Sequence, residues 1–351
     1  MGMPEIIVSF REAASTVVSR SSRGIVAMIV ADTTKTDSTV RVTSATDLTE
    51  LFTSANAALI SDALNAGASS VIATRAVTND SSVDMAATLA LLSGRIFNWL
   101  VYPDAEAADT TAIISWIKAQ RAAGKTYKAI VCNADAPECE GIVNFCASGL
   151  VRNGAAVSAG AYSAKIAGLI AGTPLNQSAT YADLSDLDAC DAVANMDAAV
   201  NAGKLIVWYD REKVKLGRCV TSAIVGAEHK KKVKLLEGVD LIAQDIRDIF
   251  ADEYVGKVAN SYDNKQVFVA AARAYLEALK GSVLDPYYDI TCEIDFDAQA
   301  AYLEEKGADI TAMTDAEILQ ANTGSRVFLR IGVKLLDSME DMTLVIYIDD
   351  N

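Results

Sequence analysis

The sequence predicts a mixed α/β fold of more than one domain, on three observations. The chain has 351 residues, enough for two or three domains with sizeable cores. Between residues 24 and 209, short apolar runs of strand length alternate with stretches of helical period, the pattern of α/β units. Beyond about residue 217, two amphipathic helices precede segments of period-two alternation. Half of the residues (51%) are apolar, while acidic residues outnumber basic ones by 46 to 31, a net charge of -15. Disorder is excluded because it pairs high charge with low hydrophobicity. Broad nucleic-acid binding is excluded because phosphate neutralisation needs clustered Lys and Arg.

The elements follow in order. Glu5–Phe10 places Ile6, Val8 and Phe10 on one face and reads as a short strand, followed by a polar tether from Ser15 to Arg23. Gly24–Ala31 is a continuous apolar run, expected as a buried strand and far too short to span a bilayer. Val40–Val42, a helix over Asp47–Asn65 and a strand over Ser70–Ala76 complete a small α/β domain, placed at 21–93. A second α/β domain is expected over 94–215. It contains a strand at Ile96–Tyr102, a helix at Asp109–Ala122 and a strand at Lys128–Cys132, with a right-handed parallel crossover. The small-residue stretch Gly154–Gly172 follows, then a strand at Leu205–Tyr209.

The third region, 216–341, carries an amphipathic helix over Asp240–Tyr254 and a second over Lys265–Lys280. Tyr288, Ile290, Cys292, Ile294 and Phe296 then alternate with Asp289, Thr291, Glu293 and Asp295. Val327, Leu329, Ile331 and Val333 repeat the period up to Lys334. After a turn-like Asp337–Asp341, residues 342–351 hold the apolar strand Thr343–Ile348 and an acidic tail.

Catalytic chemistry finds little support. The single histidine, His229, lies in a lysine-rich run with no Gly-x-Ser-x-Gly elbow, which argues against Ser-His-Asp or Cys-His catalysis. The cysteines at 132, 139, 146, 190, 219 and 292 form no C-x-x-C pair, so a zinc site is not expected and reduced thiols are. Gly160, Gly168 and Gly172 match no phosphate-binding pattern, and close packing of a helix backbone is the expected use of that segment. Asp295 and Asp297 read as a solvated strand face. The lysines at 230–234 read as a solvated turn leading into a strand, or as a contact for an acidic surface. No cofactor, metal or catalytic residue is expected. The N-terminus lacks a charged region followed by an apolar core, so synthesis and assembly in the cytoplasm are expected.

Both terminal segments are apolar and β-prone, where chain ends are ordinarily polar and frayed. Such strands pair within their own subunit or add to a neighbour's sheet. Burying three large side chains contributes roughly 5–9 kcal/mol, and about six ladder hydrogen bonds add about 1 kcal/mol each. Fixing about eight residues costs on the order of 8–16 kcal/mol. The sum is near zero, so such an arm orders only when a complete acceptor sheet is offered, which is a device for polymerisation.

Met3-Pro4-Glu5-Ile6-Ile7-Val8-Ser9-Phe10 with Arg20-Ser21-Ser22-Arg23-Gly24-Ile25-Val26-Ala27 resembles contractile phage-tail sheath proteins. The resemblance continues through Ile166–Pro174, Ser178–Tyr181 and Tyr254–Asp263 and so covers nearly the whole chain. It points to the branch of PBSX-like defective prophages and contractile R-type (diffocin-like) bacteriocins. It implies a structural, non-enzymatic subunit in a lattice of stacked six-membered rings around a tail tube, with baseplate and terminator proteins as further partners. Neither direct nucleic-acid contact nor membrane insertion is implied. It further implies arms at 1–20 and 342–351, carried by Ile6, Val8, Phe10, Leu344, Ile346 and Ile348. Those arms would complete the sheet of a neighbour's C-terminal assembly domain at Ile290, Cys292, Ile294, Val327, Leu329 and Ile331. Tube contact is expected at Lys265, Arg273 and Lys280, with the 230–234 lysines as the rival. Two other readings compete. One is a cytosolic α/β enzyme or small-molecule-binding protein built on the 94–210 block, disfavoured by its missing phosphate loop and metal cluster. The other is a type VI secretion-like sheath component, disfavoured because one chain stands where that system uses two.

Overall fold

The computed structural model describes residues 24–79 and 82–348. These form two compact units, one of residues 24–237 with 337–348 and the other of residues 238–336.

The larger unit is built on one sheet. Its strands are β1 (Ile25–Val30), β2 (Thr39–Val42), β3 (Ser70–Arg75), β4 (Trp99–Val101), β5 (Lys128–Cys132), β6 (Ile142–Cys146), β7 (Lys204–Asp210) and β8 (Lys213–Leu216). They lie in the order β8-β7-β6-β5-β4-β1-β3-β2, parallel except for the antiparallel edge strands β2 and β8. The α/β blocks expected on either side of residue 94 therefore share a single sheet. Strand β1 pairs with β3 on one side and β4 on the other, so the proposed boundary runs through a hydrogen-bonded ladder. Local periodicity had no means of showing that pairing.

The apolar run of β1 is explained by its central place. Val26, Met28 and Val30 enter one core while Ile25, Ala27 and Ile29 enter the other, because successive side chains point to opposite faces. Helices α1 (Ser54–Asn65), α2 (Met85–Leu92), α3 (Ala107–Ala122) and α4 (Ala159–Gly172) supply the covering layers. Helices α1 and α4 contribute to the first core, α2 and α3 to the second. Their starts are written in the sequence. Thr53, Asp84 and Ser158 accept from the backbone N–H three residues on, and Glu106 with Asp109 forms a capping box.

The glycines of α4 act as expected. A Cβ on Gly168 would lie 2.0 Å from the Ala63 carbonyl oxygen, and one on Gly172 would lie 2.5 Å from that of Gly67. Helix α4 thus meets the end of α1 and its following turn backbone to backbone. Helices α5 (Met196–Asn201) and α6 (Glu228–Lys231) are short, and α6 replaces the expected lysine turn and strand. Helix α7 (Val233–Ile249) begins seven residues before the expected Asp240 and spans the boundary between the two units.

In the smaller unit, Phe250–Tyr254 forms a π-helical turn and α8 covers Tyr262–Ala278, capped by Ser261. Strand β9 (Thr291–Ile294) pairs antiparallel with β10 (Leu329–Gly332). Helices α9 (Phe296–Glu305) and α10 (Asp315–Gln320) pack together through Ala300, Leu303 and Ile318. Both strands are shorter than the alternation predicts. Asp295 ends the strand: its backbone N still donates to Phe328 O at 3.1 Å, but its carboxylate caps α9, accepting from Ala298 N at 3.0 Å. Phe296 is therefore the first helical residue, not the end of a strand.

Candidate assembly surface

The C-terminal segment leaves the larger unit through a cluster of charges. Lys232, between α6 and α7, meets Asp337 at 2.6 Å and Glu340 at 3.6 Å. Arg218, just after β8, meets Glu340 at 3.6 Å and also pairs with Asp341. The Glu340 carboxylate also accepts from Ser178 Oγ at 3.0 Å and Thr180 Oγ1 at 2.7 Å, and it is nearly buried. Burial pulls the Lys232 ammonium down, but Asp337 and Glu340 more than offset this and hold it above its ordinary value. Two cations and three carboxylates thus clasp the root of the segment.

Past the clasp, the chain is apolar and uncovered. Leu344, Ile346 and Ile348 are 66%, 71% and 80% exposed, and residues 342–348 form no strand. The alternation that predicts a strand is present in the sequence, but a strand needs a partner to close its hydrogen bonds. The N-terminal residues Ile6, Val8 and Phe10 lie outside the described residues.

The small sheet is the other half of the expected surface. Cys292 faces Ile331 and Ile294 faces Leu329 across the ladder. Ile290, Cys292 and Ile294 are buried, whereas Thr291 and Glu293 are exposed, so one face of β9 is covered and the other is not. Leu329 and Ile331 are half-buried in β10. Val327 precedes β10 and lies outside the ladder, a correction to its expected place in the strand. Among the described residues β9 and β10 pair only with each other, so each keeps one outer edge free of a neighbouring strand.

The expected tube contacts separate into two kinds. Lys265 is 3% exposed, and its ammonium donates to Gln299 Oε1 at 3.2 Å and Thr323 Oγ1 at 2.9 Å. Burial pushes it below its ordinary value. In this position it cannot present charge to a tube, which corrects that assignment; it sits on the covered side of an amphipathic helix. Arg273 is exposed, and Lys280 pairs with Glu277 at 2.9 Å. The rival lysine run is largely consumed within its own unit. Lys230 meets Glu140 at 3.1 Å, Lys232 belongs to the clasp and Lys234 is buried.

Among the described residues no group of acidic, His or Cys side chains is placed to hold a metal ion. All six cysteines are free thiols. Burial pushes Cys292 up to about 11 and Cys132 up to about 12, so these two stay protonated at neutral pH. His229 lies on α6, whose lysine neighbours make it part of a basic surface turn. Sequence reasoning missed the clasp: Asp337–Asp341 carried a turn signal, and its partners lie more than 100 residues away, as with Lys232 and Asp337.

An uncovered apolar segment beyond an anchored root and, among the described residues, a two-stranded sheet with no further strand on either edge are features that suit assembly with other copies. Comparison with known proteins gives the chain its family. Residues 227–349 match the phage tail sheath C-terminal domain. The chain is 35% identical to the tail sheath protein of Clostridium phage phiCD119, over 98% of each. The fold is shared with the sheath tail protein of Listeria innocua, at TM-score 0.70 and 15% identity over 94% of this chain and 99% of that one. It is equally shared with the helical sheath of the anti-feeding prophage in its contracted state, at TM-score 0.70 and 16% identity over 94% of each chain. The chain belongs to the phage tail sheath family.

Proposed function

We propose that the chain polymerises as stacked hexameric rings around a tail tube and contracts to drive that tube through a target envelope. The observation that carries this reading is the run of exposed apolar residues 342–348 held out by the Lys232–Arg218–Glu340 clasp. Leu344, Ile346 and Ile348 would add to a neighbour's sheet at Ile290, Cys292, Ile294, Leu329 and Ile331, with Val327 flanking the strand. Ile6, Val8 and Phe10 would form the second donated strand. Among the described residues the β9–β10 sheet has two edges without a neighbouring strand, a number that suits two arms per subunit. Chains joined in this way can move as rigid bodies during contraction while the arms stay paired.

The functional division that accompanies this reading is an arm over 1–20, α/β segments over 21–93 and 94–215, an assembly segment over 216–341 and an arm over 342–351. The partners would be further copies of the chain, the tail tube, and the baseplate and terminator proteins, with Arg273 and Lys280 as the remaining charged candidates for the tube. Assembly would take place in the bacterial cytoplasm, in a particle of the PBSX or R-type bacteriocin kind released on lysis. The work is mechanical, and no residue is assigned a catalytic step.

Electron microscopy of the purified chain at rising concentration tests the reading. Rings or striated tubes are expected from the intact chain, and soluble subunits after deletion of residues 1–10. A truncated chain that polymerises as the intact one does would sink the arm-exchange account.

A further inference from the structure

The smaller unit contains an apolar groove of about 370 Å³ beside the start of β10. Phe250, Tyr254, Val258, Phe268 and Val327 wall it, with Phe250 and Tyr254 ring centroids 5.3 and 4.8 Å from that of Phe268. Two hydrogen-bonding atoms in its wall have no partner. They are Tyr254 Oη and Asn260 Oδ1, both shielded from solvent. The Asn260 carboxamide is fixed in orientation, because its Nδ2 donates to Thr323 Oγ1 at 3.1 Å, Gly324 O at 2.8 Å and Arg326 O at 2.9 Å. A buried polar atom without a partner costs about 1–3 kcal/mol, so the groove wall carries a local cost in the free subunit. Between the lining residues Gly256 and Val258 in sequence, exposed Lys257 bonds only the Asp252 carbonyl and meets no carboxylate among the described residues.

The occupant is indicated by length and charge. Strand β10 has four residues, about 13 Å at about 3.3 Å per residue. The uncovered segment from Met342 to Ile348 has seven, about 23 Å extended. A segment paired along the free edge of β10 therefore overruns the strand by about three residues. Running antiparallel to β10, it passes Leu329 and reaches Val327, which lines the groove. In sequence the overrun is Ile346-Tyr347-Ile348, and two carboxylates, Asp349 and Asp350, follow it.

We propose that this groove seats the end of the C-terminal segment of a second copy of the chain. Tyr347 and Ile348 lie against Phe250, Val258 and Phe268, and the acidic tail meets Lys257. This rests on the arm-exchange reading and adds to it the residues that set the register of the added strand. Pairing along an edge alone leaves register open to slips, whereas a pocket at one end fixes it.

The test measures the critical concentration for polymerisation of the full chain, by sedimentation and electron microscopy. Val258 is 41% exposed and Tyr347 is 92% exposed, so Val258→Glu and Tyr347→Glu should leave the melting curve of the free subunit unchanged. Each is expected to raise the critical concentration at least tenfold, and adding Asp349→Lys to Val258→Glu should recover part of the loss. A critical concentration within twofold of the intact chain for either single variant overturns the proposal. Deletion of residues 342–351 separates the two levels of inference. If the deletion blocks assembly while Val258→Glu does not, the groove is wrong and arm exchange stands. If the deleted chain assembles normally, both fail.

Discussion

Substituting Gly168 by alanine tests the closest backbone contact in the larger unit. The new Cβ would lie 2.0 Å from the Ala63 carbonyl oxygen and 2.7 Å from its carbon. Ordinary contact is about 3.5 Å, so helix α4 must withdraw from α1 by about 1.5 Å. The obstacle is backbone at both ends, with no flexible side chain to yield, which puts the overpacking cost near the top of its usual range, about 3 kcal/mol. Alanine's better helix propensity returns about 1 kcal/mol, leaving a net loss of about 2 kcal/mol. For a unit of this size that corresponds to roughly 4–8 °C in melting temperature. Differential scanning calorimetry of the free subunit measures it, with Gly94→Ala as the control because a Cβ at Gly94 meets nothing within 4 Å. A Gly168→Ala protein that melts at or above the wild-type temperature would refute the argument, because the helices would then not approach as described.

Two further predictions concern charge. Replacing Glu340 by alanine removes the acceptor for Ser178 and Thr180 and the longer of the two ion pairs of Arg218 and of Lys232, leaving those with Asp341 and Asp337. Because both cations keep a carboxylate partner, the loss is that of the hydrogen bonds from Ser178 and Thr180, about 1–3 kcal/mol of local anchoring. The methyl resonances of Met339 and Met342 should sharpen in methionine-labelled protein, and unchanged line widths would show that the clasp does not hold the segment. Asp32 is buried, which alone would raise its pKa, but hydrogen bonds from Asn56, Thr34 and Thr53 hold the carboxyl well below its ordinary value. The stability it contributes is present above the unfolded value of about 3.9 and is lost as pH falls below about 4 toward the folded value. Asp32→Asn should therefore be less stable at pH 7 and flatter between about pH 4 and 2. Parallel pH profiles for the two proteins would contradict this.

Much of the local structure was legible in advance. The runs at 25–30, 70–75, 128–132 and 204–210 were identifiable as strands because backbone geometry imposes a period of two, or continuous burial, on any strand within a covered sheet. The glycine spacing of α4 foretold close packing, because only glycine permits backbone contact at a helix crossing. The candidate surface was legible in part. The apolar C-terminal segment was plain in sequence, while the groove at Phe250–Phe268 was not. Its walls come from the π-helical turn, α8 and the approach to β10, each contributing residues that read singly as ordinary amphipathic positions.

The sequence by itself determined the class of fold, the weakness of the case for histidine-based catalysis, and the presence of strand-prone termini that invite assembly. It also carried the family resemblance now matched by sheath relatives. Only the tertiary structure decided which charges are available and which are already used. Lys265 and the 230–234 lysines looked alike as candidates for an acidic partner. The first is buried under Gln299 and Thr323, and Lys230 and Lys232 are engaged by Glu140, Asp337 and Glu340. The reason is one of range. Periodicity is set by neighbours a few residues apart and can be read from a single chain. The partner of a charge or a strand edge is chosen by the fold across 100 residues, as Lys232 and Asp337 show.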